Sequence, residues 1–87
     1  MNRSYLFVPG DSQRKIDRAR ASNADAVIID LEDAVVPGRR DEARRLAAAA
    51  AGGQTWVRIN PLDSADAEID LEAVVPSAPA GIVLPKP

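Results

Sequence analysis

Residues 26–29, Ala-Val-Ile-Ile, form a short apolar run that is followed within four residues by three carboxylates, Asp30, Glu32 and Asp33. The run is rich in β-branched residues and bounded by polar ones, which is typical of a strand buried on both faces of a parallel sheet. In parallel α/β folds, ligands bind at the carboxyl ends of the strands. The three carboxylates are therefore candidate site residues. The alternative is that they are solvated or cap the next segment.

The rest of the chain alternates strand-like and helix-like segments. Strands are predicted at residues 4–8, 26–29, 55–60 and 81–84. Helices are predicted at residues 13–22, with Asp11 or Ser12 as N-cap, from the Pro37-Gly38 turn to residue 51, and at residues 69–74. This order predicts βαβ units, and hence a parallel sheet with right-handed crossovers.

Residues two apart in a strand share a face, and the third predicted strand divides clearly by this rule. One face carries Val57 and Ile59, and the other carries Trp56, Arg58 and Asn60. The second strand shows the same split between apolar and acidic side chains. A sheet that is apolar on one face and charged on the other favours a barrel with a site at its mouth. A doubly wound open sheet would be expected to have two apolar faces.

Arg58 is the most informative cation in the sequence. Its structural interpretation is an ion pair with Asp30 or Glu32 across neighbouring strands, because an unpaired buried charge is costly. Its functional interpretation is a clamp for a carboxylate or phosphate, for which the planar guanidinium is well suited. The two interpretations are compatible. Trp56 is expected to belong to the core rather than to a ligand platform.

Composition excludes several classes of protein and of chemistry. The chain has 87 residues, which allows one domain at most, and 46% of them are hydrophobic. The net charge of −2 argues against a nucleic-acid-binding surface, and no apolar run approaches the roughly 18 residues of a membrane helix. No signal peptide is recognisable, so a cytoplasmic protein is expected. Without Cys or His, acid–base or metal chemistry must use carboxylates, Lys, Arg or water.

Four motifs, in order, resemble the opening of one enzyme family. They are RSYLFVPGDSQRKIDRA, NADAVIIDLEDAV, VRINPLD and GIVLPK, and they span nearly the whole chain. The sequence resembles the citrate lyase β-subunit-like enzymes of the HpcH/HpaI aldolase superfamily. The resemblance implies a (β/α)8 TIM barrel. It also implies Mg²⁺-dependent cleavage or formation of a C–C bond in a β-hydroxyacyl-CoA of the citryl-, malyl- or citramalyl-CoA type, with an acyl-CoA and an oxo-acid as products.

The resemblance also implies roles for single residues. Arg58 would bind the substrate carboxylate or oxo-acid, while Glu32 and Asp33 would be catalytic residues at the edge of the Mg²⁺ site. The residues that would line the rest of the substrate site are Arg3, Phe7, Pro9 and Lys15, near the CoA thioester arm, and Lys86 at the mouth. The direct metal ligands of the family come from later strands and are expected beyond Pro87.

Length limits what this chain is expected to do alone. A complete barrel of this type takes about 250 residues. Residues 1–87 are therefore expected to be a single partial domain that contains the first four strands of the barrel, which is incomplete in this chain. The expected partners are acyl-CoA and oxo-acid substrates and further copies of the protein, since the family tends towards homotrimers or hexamers. An open fourth strand and an uncovered interior face would favour self-association.

Two other functions stay open. One is a 4-hydroxy-2-oxo-diacid aldolase of the same superfamily. Against it, the sequence pattern that those aldolases resemble has His after the glutamate of the second strand, whereas this chain has Asp33 there. The other is a non-catalytic assembly or binding fragment that keeps the CoA-facing surface without a metal.

Overall fold

A computed structural model describes residues 4–32, 35–50 and 55–85 of the chain. Strands and helices alternate along these residues. The strands are β1 (Tyr5–Pro9), β2 (Ala26–Asp30), β3 (Thr55–Arg58) and β4 (Gly81–Val83). The helices are α1 (Gln13–Arg20), α2 (Arg40–Ala50) and α3 (Ala65–Val74), and short 3₁₀ turns at Pro37–Arg39 and Val75–Ser77 precede α2 and follow α3. Among these residues, no helix has both the length and the apolar character needed to cross a membrane.

The four strands form one parallel sheet in the order β1-β2-β3-β4. Each strand therefore lies beside the next one in sequence, and the order never reverses within the described residues. A doubly wound sheet reverses its strand order at a switch point, whereas a TIM barrel adds each new strand on the same side. The observed order is that of consecutive barrel units.

One face of this sheet packs against the helices and forms the core. Its central row is Val8, Ile29, Val57 and Ile82, which are partners across the four strands. Ile16 and Ala19 of α1 are buried against this face. Buried residues of α2 and α3 belong to the same core cluster. The three helices thus cover a single face of the sheet, as a barrel requires.

The opposite face is not covered by helices, and we call it the open face. It carries Tyr5, Phe7, Ile28, Trp56 and Gly81, of which Phe7, Ile28, Trp56 and Gly81 form one row across the sheet. The predicted core position of Trp56 is therefore wrong. Its indole lies over Gly81, where a Cβ atom would stand 2.1 Å from Cζ3 of the ring, and 37% of the residue remains exposed.

Side-chain caps explain where two helices begin. Ser12 accepts a hydrogen bond from the backbone N–H of Lys15 and caps α1, as one of the two predicted candidates. Ser64 accepts from the backbone N–H of Ala67 and caps α3. Because Ser64 sets the start, α3 is longer than the predicted helix at residues 69–74.

The third strand is shorter than predicted, and this moves one side chain. β3 ends at Arg58, so the alternation of faces does not extend to Asn60. Asn60 is buried and donates hydrogen bonds to Asp70 of α3 instead of sharing the open face with Arg58. The predicted position of Asn60 is therefore wrong, whereas Val57 and Ile59 are both fully buried on the core side as predicted.

Candidate functional site

Arg58 and Asp30 form a bidentate ion pair at the carboxyl ends of β3 and β2. They are direct partners in the sheet register. Nε of Arg58 donates to Oδ1 of Asp30 at 2.9 Å, and Nη2 donates to Oδ2 at 2.7 Å. Asp30 is only 2% exposed, so the guanidinium supplies the charge that its carboxylate needs. The structural interpretation of Arg58 is confirmed, and the pair holds the guanidinium in one orientation.

Asp30 also positions the residues that follow it. Its Oδ1 accepts a hydrogen bond from the backbone N–H of Glu32 at 2.9 Å, which folds the chain into a tight turn after β2. The N–H of Leu31 donates to the carbonyl oxygen of Arg58 at 2.9 Å. As a result, one carboxyl oxygen of Glu32 lies 3.8 Å from Nε of Arg58. A buried aspartate thus fixes a carboxylate and a guanidinium side by side.

Phe7 and Pro9 of β1 lie beside this pair. The guanidinium carbon of Arg58 stands 5.2 Å from the centre of the Phe7 ring, within the range of a cation–π contact. Pro9 is the register partner of Asp30 in the sheet. Four of the predicted site residues, Glu32, Arg58, Phe7 and Pro9, are therefore brought to one end of the sheet.

Of the other predicted site residues, Lys15 lies within the described part of the chain. It is in the first turn of α1 with an exposed side chain. Arg3, Asp33 and Lys86 lie outside the described residues.

Gly10 allows β1 to approach β2 closely just below the site. Its N–H donates to the carbonyl oxygen of Asp30 at 2.9 Å, so that donor is not available to cradle an anion at the Pro9-Gly10 turn. A Cβ atom on Gly10 would stand 2.9 Å from Cδ2 of Leu31 and 3.0 Å from the Asp30 carbonyl oxygen. The glycine is therefore needed for packing and not for binding.

A buried polar network lies behind the site and was missed by sequence reasoning. Asp70 of α3, which is fully buried, accepts from Nε of Arg44 at 2.6 Å and from both the backbone N–H and Nδ2 of Asn60 at 2.9 and 2.8 Å. Nδ2 of Asn60 also donates to the carbonyl oxygen of Leu31 at 3.1 Å. The network connects α2 and α3 to the residue between Asp30 and Glu32.

The signal for this network is present in the sequence. Ala67, Asp70 and Val74 recur at helical spacing and form the buried stripe of α3, so the aspartate interrupts an apolar stripe. Arg44 lies in the same way among the buried residues of α2. A charge within the apolar stripe of each of two successive helices indicates a buried ion pair.

Electrostatics keep Arg44 charged in this setting. Burial is the largest single influence on the pKa of Arg44 and lowers it, but the hydrogen bonds and negative charges of Asp70 and Asp66 together outweigh burial and raise the pKa above its ordinary value. Asp66 and Asp41 each lie 2.8 Å from a terminal nitrogen of the guanidinium. The cation is therefore a permanent part of the helix packing.

The described residues do not form a metal site by themselves. No group of three or more acidic side chains with metal-binding geometry occurs in residues 4–32, 35–50 and 55–85. Asp30 is occupied by Arg58 and by the backbone of Glu32.

Known proteins share both the sequence and this arrangement of strands. The family described as HpcH/HpaI aldolase/citrate lyase matches residues 3–87. A (3S)-malyl-CoA thioesterase of Cereibacter sphaeroides is 37% identical over 97% of this chain and 32% of its own length, and a citrate lyase subunit beta of Haemophilus influenzae is 37% identical over 99% and 32%. The crystal structure of CitE from Mycobacterium tuberculosis, in complex with magnesium, acetoacetate and coenzyme A, superimposes with a TM-score of 0.85 at 38% identity.

These matches define the family and the part of it that is present. The CitE superposition covers 95% of this chain and 32% of the CitE chain, so the sequence spans about a third of the length of these relatives. The predicted fold class, parallel βα units that form the first four strands of a TIM barrel, is confirmed by the strand order and the superposition. The resemblance inferred from the four motifs is confirmed as well. The chain belongs to the HpcH/HpaI aldolase/citrate lyase family.

Proposed function

We propose that this chain supplies the substrate-binding front of a Mg²⁺-dependent carbon–carbon lyase that acts on a β-hydroxyacyl-CoA. In this proposal residues 1–87 are a single partial domain with the first four βα units of the barrel. The observation that carries the proposal is the guanidinium of Arg58, held by Asp30 at the carboxyl end of the sheet next to Glu32. A fixed cation beside a carboxylate is suited to a substrate that carries a carboxylate and must exchange a proton.

Arg58 is assigned to the carboxylate of the oxo-acid. Arg58 pairs with Asp30 through Nε and Nη2, and a guanidinium offers donors on more than one edge, so a structural pair and substrate recognition are chemically compatible. The planar fork matches a carboxylate in geometry as well as in charge. Because Asp30 fixes the orientation, the enzyme does not need to order this side chain when the substrate binds. The acetoacetate bound by CitE, an oxo-acid, supports this assignment.

Glu32 and Asp33 are assigned to proton transfer. In the cleavage direction, one carboxylate takes the proton of the β-hydroxyl group, the bond between Cα and Cβ breaks, and the oxo-acid leaves with a new carbonyl group. The electron pair of the broken bond remains on the acyl-CoA as an enolate, which takes up a proton to give the acyl-CoA product. The positive charge of Arg58 near the departing oxo-acid stabilises negative charge in this step.

Magnesium is part of the proposal for the whole lyase. CitE holds magnesium in its crystal structure, and a bound divalent cation would supply positive charge for oxygen atoms that become negative during cleavage. Since the described residues gather no metal-binding cluster, we assign the direct ligands to the rest of the barrel, with Glu32 and Asp33 at the edge of that site. The CoA arm is assigned to the side that carries Arg3, Phe7, Pro9 and Lys15, with Lys86 at the mouth.

The test is an assay on the purified chain with citryl-, malyl- and citramalyl-CoA, with Mg²⁺ and with EDTA. Oxo-acid, acyl-CoA and free CoA are measured separately. No turnover by the folded chain alone is expected, because the direct metal ligands are assigned to the rest of the barrel. Oxo-acid and acyl-CoA in equal amounts, both abolished by EDTA, would mean instead that the chain builds a metal site from its own carboxylates. Free CoA without oxo-acid would instead indicate a thioesterase, like the (3S)-malyl-CoA thioesterase among the relatives. Cleavage of a free 4-hydroxy-2-oxo-diacid would indicate an aldolase.

A second experiment places the chain in a complete barrel, because the chain spans only about a third of the length of its relatives. The matching segment of CitE is replaced by this chain, and the oxo-acid KM is measured in the condensation direction. Arg58→Ala should raise that KM by about 10- to 150-fold, the value of a charged hydrogen bond of about 1.5–3 kcal/mol. Arg45→Ala, an exposed arginine of α2, is the matched control and should leave KM unchanged. Equal KM values for the two variants would show that Arg58 does not bind the oxo-acid.

A further inference from the structure

The ring of Phe7 and the guanidinium of Arg58 meet across the strand that separates them. β2 lies between β1 and β3 in the sheet, so these two residues are not on neighbouring strands. The guanidinium carbon nevertheless lies over the ring, 5.2 Å from its centre, where the electron-rich face of the ring attracts a cation. Arg58 is therefore contacted by β1 as well as by its neighbour β2.

Asp30 and Phe7 restrict the guanidinium in different ways. The two hydrogen bonds to the Asp30 carboxylate hold one edge of the guanidinium, but a group held along one edge can still tilt about that edge. The ring of Phe7 contacts the guanidinium from another strand and opposes such a tilt. Only 23% of the Arg58 side chain is exposed, so the side chain has little room to move.

We propose that Phe7 is a positioning residue for oxo-acid recognition and that it acts through Arg58. Because Arg58 is assigned to the oxo-acid carboxylate in the proposed function, the role of Phe7 rests on that assignment. A ring against the cation keeps the guanidinium in its binding orientation before the substrate arrives, so less order has to be gained on binding. The ring also keeps water from the side that it covers, which weakens the screening of the charge.

The aromatic character of residue 7 is what this role requires. Leucine is also apolar, but it has no ring face with which to attract a guanidinium. Phe7 lies on the open face and is not a member of the core cluster that the described residues form between the sheet and the helices, so its replacement leaves no cavity in that core. Loss of the ring therefore tests the contact with Arg58 and not the packing of the helix layer.

The test uses the CitE barrel in which this chain replaces the matching segment, with acetyl-CoA and with oxaloacetate, glyoxylate or pyruvate in the condensation direction. Each substrate is varied at a saturating concentration of the other. Phe7→Leu should raise the KM for the oxo-acid by about 2- to 30-fold, the range of a cation–π contact, and should leave the KM for acetyl-CoA unchanged. Phe7→Tyr keeps the ring and should restore the low KM for the oxo-acid.

Tyr5→Leu is the matched control, because Tyr5 is an aromatic residue of the same strand on the same face. Arg58 is in register with Pro9 through Asp30, and Tyr5 lies four residues from Pro9, about 13 Å along the strand. Tyr5→Leu should therefore leave both KM values unchanged.

The outcomes for Phe7 and Arg58 are distinguishable. An acetyl-CoA KM that rises in Phe7→Leu as much as the oxo-acid KM, or more, would mean that the ring lines the CoA arm, and would overturn the positioning role. Unchanged KM values in Phe7→Leu, beside a raised oxo-acid KM in Arg58→Ala, would overturn the positioning role and leave Arg58 as the carboxylate site. An unchanged oxo-acid KM in Arg58→Ala would refute the proposed function as well.

A second measurement, on the chain itself, does not depend on turnover. The Nε–H of Arg58 is hydrogen-bonded to Asp30 and belongs to the guanidinium that lies over the ring, so ring currents shift its proton NMR signal upfield. Phe7→Leu should move this signal downfield, whereas Phe7→Tyr and Tyr5→Leu should leave it in place. A signal that Phe7→Leu does not move would overturn the contact and the role built on it. If Phe7→Leu fails to fold by circular dichroism, Phe7→Met takes its place in both experiments.

Discussion

Replacement of Arg44 by methionine should be among the most damaging single changes in the helix layer. The change leaves the Asp70 carboxylate fully buried with its two Asn60 donors but without its cation. Removal of one partner of a buried ion pair costs about 3–5 kcal/mol. A domain of this length has a total free energy of unfolding of about 4–13 kcal/mol, so Arg44→Met should remove a large share of it.

A second substitution, at Asp70, tests whether Arg44→Met loses stability because a buried charge is left unpaired. Asp70→Asn alone should cost about 1–3 kcal/mol, because one amide oxygen cannot replace two carboxylate oxygens that serve Arg44 and Asn60. In the double variant with Arg44→Met, no uncompensated charge remains, and the amide oxygen can still accept from Asn60. The double variant should therefore be more stable than Arg44→Met, with a coupling free energy of about 0.5–3 kcal/mol.

Urea unfolding at one fixed protein concentration measures these differences, with Trp56 fluorescence and circular dichroism as the two probes. Arg45→Met is the matched control. Its side chain is 68% exposed and pairs at the surface with Glu42, so its unfolding midpoint should shift far less than that of Arg44→Met. If Arg44→Met unfolds at the same urea concentration as Arg45→Met, the buried network does not stabilise the fold. A double variant less stable than Arg44→Met would show that the loss is one of packing and not of charge.

Three further outcomes are expected. Gly81→Ala should destabilise the chain and change its tryptophan emission, because a Cβ atom at Gly81 would overlap the indole of Trp56; unchanged emission would place the ring elsewhere. Ser64→Ala should lower the free energy of unfolding by about 1 kcal/mol by removing the N-cap of α3, as measured by urea unfolding; no loss would mean that the cap is redundant. The pKa of Glu42 lies below its ordinary value of 4.5, mainly because Arg45 donates a hydrogen bond to its carboxylate. The melting temperature of the wild type should therefore be slightly higher than that of Glu42→Gln at neutral pH. That gap should close as the pH falls through the lowered pKa, and a gap that widens in acid would contradict the assignment.

The sequence was sufficient for the parts of the fold that depend on local pattern. The apolar run of β2 and the alternation of Val57 and Arg58 on β3 predicted a sheet with one core face and a charged end, and both features are present. The pairing of Arg58 with Asp30 also followed, since both lie at the ends of adjacent strands. These features could be predicted because strand periodicity fixes which side chains share a face, and because neighbouring parallel strands bring Asp30 and Arg58 together although they are 28 residues apart in sequence.

The predictions that failed depend on where elements end and on contacts between distant helices. Asn60 was placed by strand alternation, but β3 ends two residues earlier and leaves the side chain free to turn towards α3. Trp56 was expected in the core rather than in a ligand platform, whereas its position in the strand puts it on the open face. Arg44 and Asp70 are 26 residues apart, and their ion pair exists only once α2 and α3 are packed together.

Asn60 links the outer helix layer to the mouth of the sheet through a single side-chain amide. One hydrogen bond from Nδ2 goes to Asp70 of α3, and the other goes to the Leu31 carbonyl group, next to Glu32. The position of the Glu32 backbone is therefore set partly by the helix layer. Substitutions in α2 or α3 that shift Asp70 should move Glu32 without altering any residue at the carboxyl end of the sheet. Local opening of these helices would disorder Glu32 while the sheet itself remains paired.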